Sequence, residues 1–339
     1  MTNLSELTTL HVGGPVKKVI RATTEEELIA AVKEADESTT PLLIIGGGSN
    51  ILASDTGFDG TVLVVATSGN SYEIDACSGG ILQVAAGEDW DEFVAFTLGK
   101  DLANLESLSG IPGTVGAAPI QNIGAYGHEV SEVIARLRTY DRLDKSIKTF
   151  TADQCGFSYR DSLFKKSKDR YVILDVTFQL RRGEHSLPIK YKELAQALGV
   201  AIDDRVPTQK VREAVLALRA KKGMLYNKDV NSWSAGSFFV NPIVSETVAM
   251  GLPEEAPRWP QADGSIKLSA AWLMESAGVV KGEFHNGAKV SDAHVLALTN
   301  RGDATSSDIV ELARSARDRV QARFGITLTP EVRFVGVEI

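Results

Sequence analysis

The chain has 339 residues, 43% hydrophobic and 24% charged, a globular balance long enough for two or three domains. Its net charge of −8 is spread along the chain. That argues against a nucleic-acid partner but allows a locally basic cleft for an anionic small substrate. The start, MTNLSELTTL, has no secretory pattern, no apolar run reaches membrane-span length, and Cys77, Cys155 and the five histidines form no metal or redox motif. A cytoplasmic, metal-free protein with reduced cysteines and no membrane partner is expected.

Thr24-Glu25-Glu26-Glu27 has capping-box spacing before Leu28, Ala31, Val32 and Ala35, which predicts a helix over 24–36. Strands are expected at 42–45 and 62–66. From about 71 the pattern changes to short strand-like runs, YEIDA, ILQVAAG, ARLRTYD, SIKTF and YVILDVTFQL, with helices at 89–99 and near 151–155. This block reads as α+β with a mostly antiparallel sheet. Further helices are expected at 207–222, 269–277 and 305–324, the last with Ile309, Leu312, Ala313, Ala316 and Val320 on one face. HVLALTN and the terminal EVRFVGVEI read as strands, and the Pro-rich MGLPEEAPRWPQADGS as a loop.

Two glycine-rich stretches stand out. The strand-like PLLII runs into Gly46, Gly47 and Gly48, then Ser49 and Asn50. A Walker A loop would need a Lys here. A Rossmann fingerprint would need a third spaced Gly where Ile51 stands and a helix after it. What remains is a backbone anion nest with two side-chain donors, or a plain turn between strands. The second stretch holds Ser109, Gly110, Ile111, Pro112, Gly113, Thr114, Gly116 and Ala117, and continues through Gln121, Asn122, Gly124, Ala125, Tyr126 and Gly127. A core element would not carry so many glycines, amides and hydroxyls. Two such loops suit a dinucleotide, one for its pyrophosphate and one for the rest.

GGGSN with SGIPGTVG and PIQNIGAYG resembles the UDP-N-acetylenolpyruvoylglucosamine reductase family, of the vanillyl-alcohol-oxidase (PCMH) type of FAD-binding fold. The likeness continues through YRDSLFK, AGSFFVNP, WLMESAG and PEVRFVG, across nearly the whole chain. Ala117 is one departure, since the family often has Gly there. The resemblance implies an α+β protein of three domains: 1–66 with 331–339, 67–217, and a substrate domain at 218–330, with the PCMH-type region at about 12–183. Gly46 to Asn50 would hold the FAD pyrophosphate, and the second stretch would line the flavin. Neither stretch contains His or Cys, so the FAD is expected to be non-covalent.

The chemistry implied is NADPH-dependent reduction of UDP-N-acetylglucosamine enolpyruvate to UDP-N-acetylmuramate, a peptidoglycan precursor. Hydride would pass from NADPH to FAD, and from flavin N5 to the terminal enolpyruvyl carbon. Ser237 matches the family's proton donor, Arg160 its carboxylate-binding arginine and Glu331 its third catalytic residue. Taken alone, Ser237 reads as a turn-capping serine, and Glu331 as a polar residue opening a strand with Arg333 on the same face. Tyr191, Lys222, Asn241, Lys281 and Arg333 fall where the family binds the UDP-sugar. Tyr159 would sit on a covering loop, which marks the first of the family's two structural types. Lys221 and Lys228 rival Lys222, and His294 stands where relatives carry Gln or Glu at the uracil end. Alternating NADPH and UDP-sugar binding implies ping-pong kinetics in a monomer. Two alternatives stand beside this: a flavin-dependent sugar or alcohol oxidase, and a flavin- or nucleotide-binding module without turnover.

Overall fold

Thr24 does start a helix. In the computed structural model, which describes residues 2–75, 78–227 and 229–339, its hydroxyl accepts from Glu27 N–H at 3.2 Å and caps Glu25–Glu37. The reciprocal bond shifts by one residue, because the Glu27 carboxylate takes the Thr23 N–H and hydroxyl instead. Leu28, Ala31, Val32 and Ala35 are buried along one face, as their spacing requires. Cys77 and Lys228 lie outside the described residues.

Contacts divide the chain into two units. One comprises Lys17–Gly47 and Asp59–Lys221. Its strands Leu42–Ile45 and Phe58–Val65 pair in parallel, and Val16–Ala22 completes a three-stranded sheet with Phe58–Val65 at its centre. The same unit holds an antiparallel sheet ordered Ser146–Thr151, Ile134–Asp141, Tyr171–Arg182, Gly79–Ala85 and Asn70–Asp75, with Leu102–Ala103 pairing the end of its long central strand. Residues 172–178 of that central strand are all buried, Asp175 and Thr177 among them, and its exposed residues are Gln179, Arg181 and Arg182 near its end. Trp90, Phe93 and Phe178 pack together in the core. Cys155 is buried at the end of the 3-10 turn Ala152–Cys155, and burial pushes its thiol up to about 12, so it is inert as a nucleophile.

The other unit comprises Met1–Val16, Gly48–Phe58 and Lys222–Ile339. It contains the antiparallel sheet Ser234–Ser237, Ala297–Asn300, Ala288–Val290 and Phe284–His285, and the helix Ser306–Phe324, capped by Thr305. Leu273, Met274, Ile309, Ala313, Ala316 and Val320 share its core. Among the described residues, no helix is long and apolar enough to cross a membrane.

Helices and antiparallel strands occur together throughout, so the α+β expectation holds. Two expectations need correcting. The stretch 250–265 is not all loop: Met250 ends the helix Glu246–Met250, and Arg258–Pro260 is an edge strand paired with Ile266–Leu268. Pro260 is tolerated because an edge strand can spare one donor. The terminal strand is only Arg333–Val335, parallel to Ile51–Ala53, and not all of 331–339. A short edge exposes few unpaired backbone groups. The helix Lys192–Leu198 was not anticipated, since about two turns carry too little periodicity to read.

Candidate active site

The two glycine-rich stretches meet. A Cβ on Gly46 would run into the Thr114 hydroxyl, and one on Gly47 would lie 3.0 Å from Gly113 Cα. The loops therefore approach backbone to backbone, which only glycine at both positions permits. Main-chain bonds staple the second loop to the segment before it: Val115 N–H to Glu88 O at 2.9 Å, Gly116 N–H to Ala86 O at 2.8 Å and Trp90 N–H to Gly113 O at 3.1 Å. Such a cradle, built of backbone amides and hydroxyls with no acidic side chain of its own, fits the phosphates of a dinucleotide.

Asn122 is fully buried, with φ +46°. Its side-chain amide donates to Glu129 Oε2 at 2.7 Å and Ser158 O at 3.1 Å, and its carbonyl accepts from Ser131 N–H at 3.0 Å. It thus ties the 121–127 loop to the turn that carries Tyr159 and Arg160. That turn is closed by reciprocal Ser158–Asp161 backbone bonds, both 3.1 Å, with Arg160 at φ +54°. Arginine seldom adopts this conformation, so surrounding bonds must hold it there. Arg160 Nη2 donates to Gly124 O at 2.7 Å, Lys165 Nζ donates to Arg160 O at 2.9 Å, and Ser162 Oγ donates to Ile120 O at 2.6 Å. The guanidinium also lies 5.5 Å from the Tyr159 ring centre.

Tyr126 meets Tyr191 edge to face at 5.6 Å, and burial pushes the Tyr126 hydroxyl up to about 12, so it stays a hydrogen-bond donor at neutral pH. His128, the residue after the loop, is buried, with its ring nitrogens within bonding distance of Glu132 and Pro188 O. It is not presented to a cofactor.

Ser237 and Glu331 are neighbours in the second unit. Ser234 pairs with Thr299 and Ser237 with Ala297, so three steps on one strand match two on the other. This is a β-bulge, with Gly236 at φ +73°. Nothing crowds a Cβ at Gly236, so the glycine serves the backbone conformation and not the space. The bulge turns Ser237 away from the regular alternation of its strand. Past it the chain runs against 329–331: Val240 N–H to Thr329 O at 3.0 Å, and Glu331 N–H to Phe238 O at 2.8 Å. Asn50 Nδ2 donates to Glu331 O at 3.2 Å, and Arg333 N–H to Asn50 O at 3.0 Å. The end of the first glycine loop, the bulge serine and the glutamate are thereby held in one backbone network.

Of the residues expected at the sugar nucleotide, Asn241 accepts the Ala270 N–H at 2.9 Å and braces the start of the helix Ala270–Ser276. Lys281 is exposed, 3.8 Å from Glu275. Lys222 directly follows the helix Thr208–Lys221 and is half-buried. Tyr191 stands at the N-cap position of Lys192–Leu198 without a side-chain cap bond and is 42% exposed. His294 accepts the Ala297 N–H through its carbonyl. Asp91 and Arg219, which bond Gly110 of the second loop, and Arg212, which holds Asp91, were missed by sequence reading. The Arg212 and Arg219 spacing of seven on a helix was the one available signal.

Residues 16–148 match the FAD binding domain family model. With the paired glycine loops, this defines an FAD-binding flavoprotein. Residues 228–335 match a second model, UDP-N-acetylenolpyruvoylglucosamine reductase, C-terminal domain. The chain is 54% identical to the UDP-N-acetylenolpyruvoylglucosamine reductase of Cutibacterium acnes over 99% of its own length and 90% of that protein. It is 47% identical to that of Salinispora arenicola, over 97% and 93%. Among solved structures it is similar to UDP-N-acetylenolpyruvylglucosamine reductase (MurB) from Thermus caldophilus, with a TM-score of 0.67, 25% identity and coverage of 98% and 97%. The chain belongs to the UDP-N-acetylenolpyruvoylglucosamine reductase family.

Proposed function

We propose that this protein reduces UDP-N-acetylglucosamine enolpyruvate to UDP-N-acetylmuramate with NADPH and non-covalent FAD. The observation that carries the reading is the network joining Asn50, Phe238 and Glu331, which puts Ser237 and Glu331 on adjacent backbone segments. FAD, when bound, supplies two-electron chemistry between NADPH and the substrate double bond. Gly46 and Gly47 let main-chain amides approach its phosphates, and Gly113 and Gly116 belong to the stretch that lines the rest of the flavin.

The protein's own residues handle charge and proton. Hydride addition at the terminal enolpyruvyl carbon leaves negative charge on the neighbouring carbon and its carboxylate. Arg160, held rigidly by Gly124, pairs with that carboxylate and favours the charged transition state over the ground state. Ser237 gives its hydroxyl proton to the carbanionic carbon, a role its placement on a bulge supports. Glu331, in its protonated form, donates a hydrogen bond to the enolate oxygen. Tyr191, Lys222, Asn241, Lys281 and Arg333 bind the UDP-sugar, and Tyr159 covers it. The same reading assigns the FAD role to 1–66 with 331–339 and to 67–217, and the substrate role to 218–330, in a cytoplasmic monomer with no nucleic-acid or membrane partner.

Anaerobic visible absorbance tests this directly. The yellow holoenzyme should bleach with NADPH and regain its flavin band when UDP-N-acetylglucosamine enolpyruvate is added. Recovery only with air would favour an oxidase, and a protein that takes up no FAD would end the flavoprotein reading.

A further inference from the structure

Gly110 opens the second glycine loop with φ +71°, and both of its backbone polar groups are gripped by charged side chains. Its N–H donates to Asp91 Oδ1 at 2.6 Å. Its carbonyl accepts from Arg219 Nε at 3.0 Å. Asp91 is in turn held by both arms of Arg212, Nη1 to Oδ1 at 2.6 Å and Nη2 to Oδ2 at 2.8 Å. Arg212 and Arg219 lie seven residues apart on the helix Thr208–Lys221, two turns along one face, so a single rigid element presents both. Asp91 sits in the first turn of Trp90–Leu98, where the helix favours a carboxylate. Trp90 in the same turn donates its indole N–H to Leu108 O at 3.0 Å and its backbone N–H to Gly113 O at 3.1 Å.

The two peptide units that flank Gly110 are each held by a charge-assisted bond, which restrains its φ and ψ, and a glycine there would otherwise be the freest point of the loop. Burial alone would raise the Asp91 carboxyl, but the Arg212 bonds and the Gly110 N–H hold it below the usual aspartate value, so the grip persists across neutral pH. The other charged or titratable groups near the clamp are Arg219 and, beyond it, Tyr126 and Glu193; Tyr126 stays neutral there. A loop that only closed a surface turn would not need three charged side chains to define the two peptide planes at one glycine.

We infer that Asp91, Arg212 and Arg219 are positioning residues that fix the two peptide units at Gly110 and so preorganise the loop 109–117 for the flavin. The inference rests on that loop being a flavin-binding loop. None of the three needs to touch the cofactor. Their contribution is to spare FAD the cost of ordering the loop.

The test is the FAD dissociation constant of full-length holoenzyme, read from flavin fluorescence on dilution, together with the visible spectrum and the thermal midpoint of the apoprotein. Asp91→Asn should weaken FAD binding about tenfold or more, because it removes a charged hydrogen bond and strands Arg212. Arg212→Lys keeps the charge but loses the two-armed geometry, and should fall between wild type and Asp91→Asn. The bound-flavin band should lose structure in the same order, with the apoprotein midpoint little changed. Wild-type FAD affinity and spectrum in Asp91→Asn, with only a lowered apoprotein midpoint, would overturn the inference and leave the residues merely structural. If Asp91→Asn does not fold, Arg219→Lys is read by the same criteria. Wild-type protein that binds no FAD would overturn the flavin reading itself, and this inference with it.

Discussion

The Glu331 N–H donates to the carbonyl of Phe238 at 2.8 Å, and this bond links two segments almost a hundred residues apart in sequence. It places Glu331 beside the residue that follows Ser237. Because the bond is main chain to main chain, side-chain substitution at either site should leave the scaffold standing. Ser237 and Glu331 can therefore be probed separately for chemistry.

Ser237→Ala should still bleach with NADPH but lose about 10²–10⁴ in the rate of reoxidation by the enolpyruvyl substrate. Stopped-flow absorbance of each half-reaction checks this. Equal loss in both halves would mean that the serine acts on something other than the substrate proton.

Gly236→Ala should cost about 1–2 kcal/mol of stability, since φ +73° strains any residue with a Cβ, although the space there is open. If the chain relieves that strain by ironing out the bulge, Ser237 turns to the other face and turnover collapses with it. Urea unfolding and steady-state turnover, measured together, separate the two effects.

Glu331→Gln keeps shape and hydrogen bonding but removes titration. Its turnover should fall and lose one limb of the wild-type pH profile. Wild-type turnover at every pH would rule out a proton-linked role.

Gly46→Ala should destabilise the protein by about 1–3 kcal/mol and weaken FAD binding, because the added methyl meets the Thr114 hydroxyl. Thr114→Ala in the same chain removes the atoms it meets and should recover part of both losses. A double-mutant cycle showing simple additivity would mean that the loops do not press on each other at this point.

Asp141 offers a stability test away from the site. Its buried carboxylate accepts from Arg170 at 2.8 and 3.0 Å and pairs with Lys148 at 2.8 Å, and the Arg170 bonds in particular hold it far below the ordinary range. A depressed folded pKa stabilises above the unfolded value of about 3.9 and fades as pH falls through the folded one. Asp141→Asn should therefore cost about 1–3 kcal/mol at pH 7. The gap from wild type should hold down to about pH 4 and narrow below it. Urea midpoints across that range provide the measurement.

Much of the local structure was legible because it is local. Thr24, Asp89 and Thr305 cap the helices their spacing announces, and the strand-like run YVILDVTFQL forms most of the central strand Tyr171–Arg182. The Arg258–Pro260 edge strand was hidden by Pro260 within it and Pro257 just before it, and the short terminal strand was overread because EVRFVGVEI alternates beyond the three residues that find a partner. Resemblance named Asn122 as a flavin-lining residue. Nothing in the sequence said that its side chain would be consumed by Glu129, Ser131 and Ser158 in support of the Arg160 turn.

By itself the sequence determined the glycine positions, the helix caps, the apolar periodicity and, through the order of its motifs, the family. These are properties of one residue and its near neighbours, or of matches read along the chain. Only the tertiary structure decided that Gly47 lies against Gly113, that a bulge re-aims Ser237 beside Glu331, and that Arg212 and Arg219 reach back to Asp91 and Gly110. Each of those pairs is separated by roughly sixty to one hundred and twenty residues. Hydrogen-bond geometry and close packing choose such partners after the chain has folded, and no local pattern encodes them.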